Sequence, residues 1–579
     1  MQISGIRNPH QYPSVTQLRI AQLLAVATII AAPLAAQDGP RTHAARPTAG
    51  PIRVEDARSR LYVLADDSMK GRQSGERGNV MATEFIAAEL RRAGLEPMGD
   101  NGTFFQTIPL VRKGLNPGAA LSVDGSALRL WTDWAPLPTT EDVFPFAPTL
   151  AALGTQVVFG GRIGSEMISE QQSRGKVVVL LPPRGAGGQG EYRFWRTQST
   201  NPYPAAAAVA IASLDISPPS ILEYVQAEQA ELADPAAAPA TGAPGMLVTV
   251  AVAERMLGAA PAGLRPGAAG RAVSGTFSFA PRPLDAPSRN VIAVLRGSDP
   301  RLRNEYVVIS AHNDHVGRTT VPLDHDSVRA YNRVLRPQGA NDPTGTPTPA
   351  QASRIRALAD SMRRAHGGRR LDSVFNGADD DGSGTVALLE IAEAMASARR
   401  PRRSILFVSH TAEESGLYGS QHFTDHPTVP LGSIVAALNM DMVGRGRAED
   451  IRGGGPRYIQ LIGSRRLSTQ LGATIDSLNA ARTERMSIDY SFDAPRHPLN
   501  RYCRSDHFMY ARYGIPITYL SRGYHVDYHQ VGDEPQYIDY DGLVRVAGFV
   551  RDIAFAVADR PARLVVDGPK QDPNAPCRQ

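Results

Sequence analysis

Residues Asn376 to Gly384 read N-G-A-D-D-D-G-S-G, and the apolar run from Val386 to Ala392 predicts a helix directly after them. Three acids in a row are costly here, because like charges on adjacent residues repel and a helix start needs at most one acid as its cap. Two interpretations follow. The stretch is either a solvated acidic turn that caps the helix, or a source of ligands for a multivalent cation that removes the repulsion.

A calcium loop of the EF-hand type is excluded by its spacing. If Asp381 and Gly382 take positions five and six of such a loop, position one is Gly377 and position twelve is Leu388. Both positions need acidic residues to bind calcium. The three acids must therefore be explained together with residues from elsewhere in the chain.

Length and composition indicate a multidomain globular protein without a nucleic-acid partner. A chain of 579 residues predicts two or three domains, and its hydrophobic (42%) and charged (21%) fractions are ordinary for globular proteins. The formal charge of +5 falls to +3 without the first 36 residues, which contain two arginines and no acids. The basic residues are scattered and lack the aromatic interleaving of nucleic-acid binders, so we expect no nucleic-acid partner.

The N-terminus carries a predicted signal peptide in residues 1–36. Arg19 precedes an apolar run from Ile20 to Ile30, and small residues up to Ala36 predict cleavage before Gln37. An uncleaved anchor is the alternative, although the run is short for a membrane span. No later stretch reaches about 18 apolar residues, so we expect a mature protein without a membrane span, in the periplasm or outside the cell.

Hydrophobic patterns divide the rest of the chain into segments. A flexible leader (37–54) precedes helix patterns in residues 55–112, and residues 113–286 show short β-like runs between Pro/Gly/Ala-rich connections. Residues 287–560 alternate strand and helix patterns, and 561–579 form a C-terminal tail. The alternation predicts an α/β fold, a three-layer sandwich around a mixed, mostly parallel sheet.

Two features of the C-terminal half stay open at this point. The insertion from 316 to 375 is long, polar and Arg/Pro-rich, with a helix pattern near Ala350–Arg364, and we expect it to cover or edge the site. Cys503 and Cys577 are the only cysteines, so one disulfide can form but cannot be inferred.

Acidic and histidine side chains follow four predicted strands, at the edge where α/β sheets place their sites. The strand patterns are 306–310, 404–409, 434–438 and 517–520. The polar residues in the loops after them are, in this order, His312 with Asp314, Glu413 with Glu414, Asp441, and His529.

Two imidazoles and three carboxylates form a suitable set for a pair of zinc ions that share one carboxylate. Such a set leaves one positive charge, which a bridging hydroxide would neutralise. Glu413 and Glu414 leave the backbone in different directions, so that one can bind metal while the other faces the water as a general base. Asp314, two residues from His312, is placed to accept the other imidazole N–H.

Six motifs, taken together and in order, resemble the co-catalytic two-zinc exopeptidases, a family that includes secreted bacterial aminopeptidases and glutamate carboxypeptidases. They are S-A-H-N-D-H, N-G-A-D-D-D-G-S-G, T-A-E-E-S-G-L-Y-G-S, N-M-D-M-V-G, R-S-D-H-F and Y-H-Q-V-G-D. The resemblance covers most of residues 55–110 and 286–556. The segment 113–286, with G-G-R-I-G and G-K-V-V-V-L-L, resembles the protease-associated domain that members of this family often carry as an insertion.

The resemblance implies a role for each candidate residue and two zinc ions as cofactors. Asp380, the middle acid, would bridge both ions, and Glu413 would be the general base. His312 and Asp441 would bind one zinc, and Glu414 and His529 the other. Asp314 would orient His312, and Tyr502 would stabilise the tetrahedral intermediate.

Neighbouring polar residues match no ligand position of the family. We expect Asp379 and Asp381 to shape the turn and cap the helix, and Asp506 and His507 to support the site. Surface or supporting roles are expected for the remaining histidines of this region, which are His315, His325, His366, His410, His422 and His525.

The function that the resemblance implies is a zinc-dependent aminopeptidase acting on peptides through a dizinc-bridging hydroxide. A carboxypeptidase or dipeptidase of the same family and a one-zinc glutaminyl cyclase are the alternatives. A binding protein on an inactive peptidase fold predicts missing ligands, and all five positions are filled. Side-chain preference and a homodimer stay open.

Overall fold

A computed structural model describes residues 47–48, 50–137, 146–183, 203–217, 222, 225–233, 242–337, 339–342, 345–575 and 577–579. The predicted signal peptide, residues 1–36, lies outside the described residues. No helix within the described ranges is both long and apolar enough to cross a bilayer.

The N-terminal part contributes two helices and two strands. They are α1 Val54–Leu64, α2 Arg77–Arg92, β1 Glu96–Pro97 and β2 Phe105–Ile108. Both strands pair antiparallel with a strand almost 200 residues further on, β13 Ser288–Leu295. The segment between β2 and β13 is therefore inserted, in sequence, between two paired strands.

The described residues of this inserted segment form a ten-stranded sheet of their own. Its elements are β3 Leu110–Leu115, β4 Ala120–Val123, β5 Ser126–Ala127, β6 Trp134–Leu137, β7 Thr149–Arg162, α3 Glu170–Ser173, β8 Val177–Leu181, β9 Ala208–Ala212, β10 Gln229–Leu232, β11 Gly245–Val248, α4 Val250–Leu257 and β12 Ala269–Pro283. The β-like run Met246–Val252 predicts one strand, but its second half starts a helix, because the Thr249 side chain accepts a hydrogen bond from the Val252 N–H and caps α4. Likeness to a protease-associated domain stays a prediction.

The C-terminal part supplies the rest of the main sheet and most of its helices. After β13 come β14 Tyr306–His312, β15 Arg318–Asp324, α5 His325–Leu335, α6 Pro349–His366, β16 Leu371–Val374, α7 Gly384–Ser397, β17 Ser404–His410, α8 Tyr418–Asp425, β18 Ile434–Met440, β19 Tyr458–Ile462, α9 Thr469–Ala481, β20 Ser487–Asp489, α10 His507–Ala511, β21 Ile517–Ser521 and α11 Tyr540–Ala558.

The main sheet is mixed, as predicted, with its parallel strands at the centre. Its order is β1-β13-β17-β14-β18-β21-β19-β20, with β2 also on β13, and β17, β14, β18 and β21 run parallel to one another. Their carboxyl ends meet at one edge, which is where the loops with the acidic and histidine residues begin.

Side chains alternate between two apolar clusters, which makes the sheet the middle of three layers. Along β14, Val307 and Ile309 join a cluster with helices α1, α2, α7 and α11. Val308 points to the opposite face, where α8 and α10 contribute Phe423 and Phe508. The predicted three-layer α/β sandwich is therefore confirmed.

The insertion from 316 to 375 lies against the loop after β21. Strands β15 and β16 pair at its base, and α5 and α6 lie between them in the chain. The Asn332 amide donates to the Val526 carbonyl (3.2 Å), and the Ala340 N–H donates to the Tyr524 carbonyl (3.0 Å). The insertion thus edges the segment that leads to His529.

A disulfide joins Cys503 to Cys577 across 74 residues of sequence. The pairing that the sequence left open ties the C-terminal tail to the loop before α10. The Gln579 side chain adds a hydrogen bond, accepting from the Tyr502 N–H at 3.0 Å.

One buried arginine fixes α1 to the helix that follows the acidic turn. Arg60 is almost fully buried and forms ion pairs with Glu89, Glu390 and Glu393. Burial raises the pKa of Glu390 to about 7, although Arg60 opposes that rise. Without Arg60, two buried carboxylates of α7 would lose this counter-charge.

We expect Arg60→Met to lower the free energy of unfolding by about 3–5 kcal/mol, because it leaves buried carboxylates uncompensated. Urea unfolding followed by circular dichroism measures this change. Arg92→Met is the matched control: Arg92 pairs with Glu89 and Glu393 but is 36% exposed, so its loss should cost about 0–1 kcal/mol. Equal losses for the two variants would contradict this account of Arg60.

Candidate metal centre

Three parallel strands deliver three of the candidate residues to one edge of the sheet. His312 is the last residue of β14, Glu413 follows β17 by three residues, and Asp441 directly follows β18. The Nε2 atom of His312 lies 3.9 Å from Asp441 Oδ1 and 4.0 Å from Glu413 Oε2. Residues far apart in the sequence thus face one another because their strands end side by side.

The acidic turn, Ala378–Ser383, is held by its own outer acids. Asp379 Oδ1 accepts the Gly444 N–H (2.6 Å), and Asp381 accepts the N–H groups of Gly384 (2.8 Å) and His312 (3.0 Å). These contacts join the turn to β14 and the loop after β18, and cap α7. Asp379 and Asp381 thus shape the turn, and the peptide bond between Asp380 and Asp381 is cis.

A glycine and a third acid complete the frame of the turn. Gly377 has φ of 53°, and a Cβ there would lie 2.3 Å from the Asp380 carbonyl oxygen, so a side chain does not fit. Asp533, four residues after His529, accepts the N–H groups of Asp379 and Asp380 at 3.0–3.1 Å. The turn is therefore fixed from two sides, with the Asp380 side chain left to face the site.

Asp380 lies between two histidines, with one carboxylate oxygen directed at each. Its Oδ1 is 3.3 Å from His312 Nε2, and its Oδ2 is 3.0 Å from His529 Nε2. Burial raises the pKa of Asp380, but attraction to the imidazoles of His312 and His529 outweighs burial and holds that pKa well below its usual value. A carboxylate in this position can serve two ions at once.

The adjacent glutamates point to different parts of the site. Glu414 Oε2 lies 2.9 Å from His529 Nε2, whereas Glu413 faces His312. Asp314 supports both, because its two carboxylate oxygens accept the N–H groups of Glu413 (3.1 Å) and Glu414 (3.3 Å). Its carbonyl oxygen lies 3.2 Å from His312 Nδ1 and its Oδ1 lies 3.6 Å away, so the carbonyl is the nearer partner of the ring.

His315 belongs to the same group of side chains, although the sequence assigned it only a surface or supporting role. Its Nδ1 lies 2.8 Å from Glu414 Oε1 and 3.7 Å from Asp380 Oδ2. Its ring meets that of His529 edge to face at 5.4 Å. The signal in the sequence is its spacing, three residues after His312 in the same strand-end loop.

We call six of these residues the cluster, because their ligand atoms form two groups with one shared member. Within each group the ligand atoms lie within 4.8 Å of one another. One group is His312, Asp380 and Asp441, and the other is His315, Asp380, Glu414 and His529.

The donor atoms of the cluster fit a metal pair. Among the described residues, the Nε2 atoms of His312, His315 and His529 and Oδ2 of Asp380 have no hydrogen-bond partner although they are shielded from solvent. Imidazole nitrogen and carboxylate oxygen are the ligand types that zinc takes, and the His-carboxylate set is typical of its catalytic sites. The residues present can therefore hold zinc.

The charges of the cluster support the same conclusion. Burial raises the pKa of Asp441 to about 6 and that of Glu413 well above its usual value. Burial lowers the pKa of His529, but attraction by Glu414 and Asp380 raises it to about 10. The carboxylates therefore need positive charge, which divalent cations would supply in place of protons.

Tyr502 is not brought to this cluster. It is buried in the apolar cluster on the second face of the sheet, with the Arg466 guanidinium 4.3 Å from its ring centroid. A phenol that does lie beside the cluster is that of Tyr528, whose ring stacks on His529 at 3.9 Å. The sequence contains a signal for this position, because Tyr528 directly precedes the candidate ligand His529.

The other polar residues named from the sequence surround the cluster or lie apart from it. Asp506 and His507 are fully buried, and His525 supports the turn through Asp379 Oδ2 at 3.2 Å. His325 lies in the insertion beside Asp372 and Glu534; burial lowers its pKa, but bonds to these two acids raise it to about 9. A protonated imidazole with two carboxylates accounts for that group.

Arg72 is a supporting residue that the sequence did not reveal. It is 1% exposed, and its guanidinium donates to the carbonyls of Leu64 (3.0 Å), Asn313 (3.1 Å), Asn376 (2.6 Å) and Gly377 (2.8 Å). One side chain thus fastens α1, the loop after β14 and the start of the acidic turn together. In the sequence, it is only part of a Lys-Gly-Arg turn.

Arg72→Met should weaken zinc binding by about 10–100-fold, the usual cost of removing a residue that positions metal ligands. Four buried carbonyls would lose their donor, and the loop and the turn would shift relative to each other. Competition with a chromophoric chelator measures the affinity. Arg77→Met, at an exposed arginine of α2, is the control, and equal affinities for both variants would contradict this role.

A family model and sequence relatives match the part of the chain that carries the cluster. Residues 290–554 match peptidase family M28. The chain is 29% identical over 206 residues to a "Probable zinc metalloprotease" of Pyrenophora teres f. teres, covering 32% of this chain and 41% of that protein. It is 28% identical over 196 residues to "Leucine aminopeptidase 1" of Penicillium rubens, covering 31% and 48%. The chain thus spans about half or less of these relatives' length.

A solved structure, "Aminopeptidase from Aneurinibacillus sp. strain AM-1", is similar with a TM-score of 0.47 and 15% identity, over 90% of this chain and 97% of that one. The match to the family model is the finding that bears on the cluster. All six cluster residues, from His312 to His529, lie inside the matched range of 290–554. Residues 290–554, which contain every residue of the cluster, therefore match the model of peptidase family M28.

Proposed function

We propose that this chain is an exported zinc-dependent exopeptidase, an aminopeptidase that removes N-terminal residues from peptides. The observation that carries the proposal is the position of Asp380, whose two carboxylate oxygens face His312 and His529 at 3.3 and 3.0 Å. A shared carboxylate between two histidine groups is suited to a two-metal hydrolase. Similarity to a leucine aminopeptidase supports the choice of the amino end.

Two zinc ions are proposed, each with its own ligands and with Asp380 in common. His312 and Asp441 would hold one, and Glu414 and His529 the other, with His315 Nδ1 donating to Glu414 Oε1 to fix that carboxylate. Zinc bound there would supply Lewis acidity toward water and the scissile carbonyl.

Glu413 is the proposed general base. Its pKa is raised by burial, and a carboxyl group with a raised pKa accepts a proton more readily near neutral pH. Asp314 holds the Glu413 main chain through Oδ1, so the side chain is presented from a fixed point. Glu413 would take a proton from water on its carboxylate and return it to the leaving amine.

A mixed peptide library tests the proposal directly. We expect purified protein to shorten peptides from the amino end, as read by mass spectrometry, and to stop when a chelator removes zinc. Re-adding zinc should restore trimming. Trimming that ignores the chelator would contradict a metal mechanism, and trimming from the carboxyl end would favour the carboxypeptidase alternative.

A further inference from the structure

The proposed ligand His529 lies in an irregular part of the chain, residues 522–539, which we call the His529 segment. All of these residues are described, and they contain one short 3₁₀ turn and no strand or α-helix. The φ of His529 is 55°, a value that a residue other than glycine keeps only where its surroundings hold it. Its side chain is 33% exposed, whereas those of the other four proposed ligands are 1–9% exposed. The position of His529 therefore depends on what packs against its segment.

Helix α5 of the insertion contacts the His529 segment on both sides of His529 in the sequence. The buried Asn332 amide donates to the Val526 carbonyl at 3.2 Å. At the start of α5, His325 Nε2 lies 3.2 Å from Glu534 Oε1. Asn332 follows His325 by about two helical turns, or ~10 Å along the axis, so both side chains lie on one face of α5. One helix thus holds main chain that precedes His529 and a side chain that follows it.

Two further contacts extend this interface. The Cζ atom of Arg329, which lies between His325 and Asn332 on α5, is 3.8 Å from the centroid of the Tyr537 ring. After α5, the Ala340 N–H donates to the Tyr524 carbonyl at 3.0 Å. A main-chain carbonyl bonded in this way cannot turn without losing its donor. The insertion therefore restricts the path of the His529 segment near its start and near its end.

The two ends of the insertion lie beside the same metal-ligand group. The insertion begins directly after His315, whose Nδ1 lies 2.8 Å from Glu414 Oε1, and it ends at Phe375, shortly before the acidic turn. The Phe375 N–H donates to the Gly317 carbonyl at 3.0 Å, so the two ends are joined to each other. The insertion thus has its base beside Glu414 and its helix α5 along the segment that carries His529.

The other metal-ligand group is positioned by the main sheet. His312 is the last residue of β14, and Asp441 directly follows β18, the strand that pairs with it. The hydrogen bonds between these two buried strands set the distance between their ends. A change in α5 should therefore move His529 and leave His312 and Asp441 in place.

We propose that α5 of the insertion positions His529 for the zinc ion assigned to Glu414 and His529, with Asn332 and His325 as the positioning residues. We call this ion the His529 zinc. The insertion sets the affinity for one ion of the pair without supplying a ligand to it. This role rests on the proposed two-zinc function and adds the part that the insertion plays in it.

Single-site variants separate the two ions. Asp441→Ala should keep only the His529 zinc, and Glu414→Ala should keep only the ion on His312. Asn332→Leu keeps a branched side chain but removes the amide donor. It should weaken zinc binding by about 10–100-fold in Asp441→Ala, the usual cost of losing a residue that positions a ligand, and leave it unchanged in Glu414→Ala. Competition with a chromophoric chelator measures each affinity.

Matched variants test whether the effect comes from these contacts. His325→Gln releases the contact with Glu534 and should weaken the same ion. Asn332→Gln keeps an amide donor and should restore part of the affinity. Asn574→Leu, the same substitution at an exposed residue of the C-terminal tail, should change neither affinity. Equal weakening of both ions by Asn332→Leu, or an unchanged affinity for the His529 zinc, would overturn the proposal.

Hydrogen exchange read by mass spectrometry reports whether the segment itself loosens. In zinc-loaded Asn332→Leu, peptides from residues 522–539 should exchange faster than in the wild type, while peptides from β14 keep their protection. Unchanged exchange in residues 522–539 would contradict a positioning role. Faster exchange in both regions would mean that Asn332→Leu has lost the fold, and His325→Gln then decides the question by the same two measurements.

Neither measurement depends on turnover, so the outcome for α5 can be separated from the outcome for the proposed function. If no peptide is hydrolysed but Asn332→Leu weakens only the His529 zinc, the exopeptidase function fails and the role of α5 stands. If peptides are trimmed and Asn332→Leu binds both ions as the wild type does, the function stands and the role of α5 fails.

Discussion

Glu413→Gln is expected to keep its zinc and to lose about 10²–10⁴-fold in kcat, the range that general-base catalysis contributes. Glutamine has the same shape as glutamate and keeps the main-chain hydrogen bond from residue 413 to Asp314 Oδ1, so the site should keep its geometry. The amide cannot accept a proton. Turnover should therefore fall while the metal-binding residues stay in place.

Two measurements on the same sample test this expectation. Zinc content by elemental analysis should equal that of the wild type, and kcat on an N-terminal leucine substrate should fall. Glu170→Gln, an exposed glutamate at the start of α3 in the inserted sheet, is the matched control and should change neither value. A wild-type kcat in Glu413→Gln would show that Glu413 is not the base, and lost zinc would show that it binds metal.

The fold was predictable where the sequence has clear hydrophobic patterns, with apolar strand runs alternating with amphipathic helix patterns. The strands that carry the site are fully buried apolar runs, and all seven residues of β14 and of β18 are buried. Such runs between helix patterns indicate central parallel strands. The boundary at Thr249 was missed because apolar β-branched residues continue through it, and only the cap of α4 marks the change.

The geometry of the cluster was less accessible, because it depends on contacts between distant residues. Strand ends indicated His312, Glu413 and Asp441, since the parallel strands align them. Arg72 could not be found in this way: it joins three segments by donating to main-chain carbonyls, which no side-chain pattern records. The disulfide was also not predictable, because Cys503 and Cys577 are 74 residues apart and only the folded chain brings them together.

Asp380→Ala is expected to abolish binding of both zinc ions, and this result separates a shared ligand from an ordinary one. Asp380 is the only residue common to the two metal-ligand groups found among the described residues of the cluster. Its loss removes one ligand oxygen from each ion. Zinc affinity should therefore fall by more than the factor of about 10–100 that is usual when a residue supporting the ligands is removed. Glu414→Ala and Asp441→Ala each touch one group and should each lose one ion.

Elemental analysis after dialysis gives the zinc content of each variant, and Asp360→Ala, at an exposed acid of α6, is the control expected to keep both ions. The comparison distinguishes the two interpretations of the acidic turn. If Asp380 only shaped the turn, as Asp379 and Asp381 do, its loss would destabilise the protein. The number of zinc ions lost per protein molecule would then not be two. A variant Asp380→Ala that keeps one ion tightly would show that the carboxylate serves a single metal, and the two-metal mechanism would then lack its bridge.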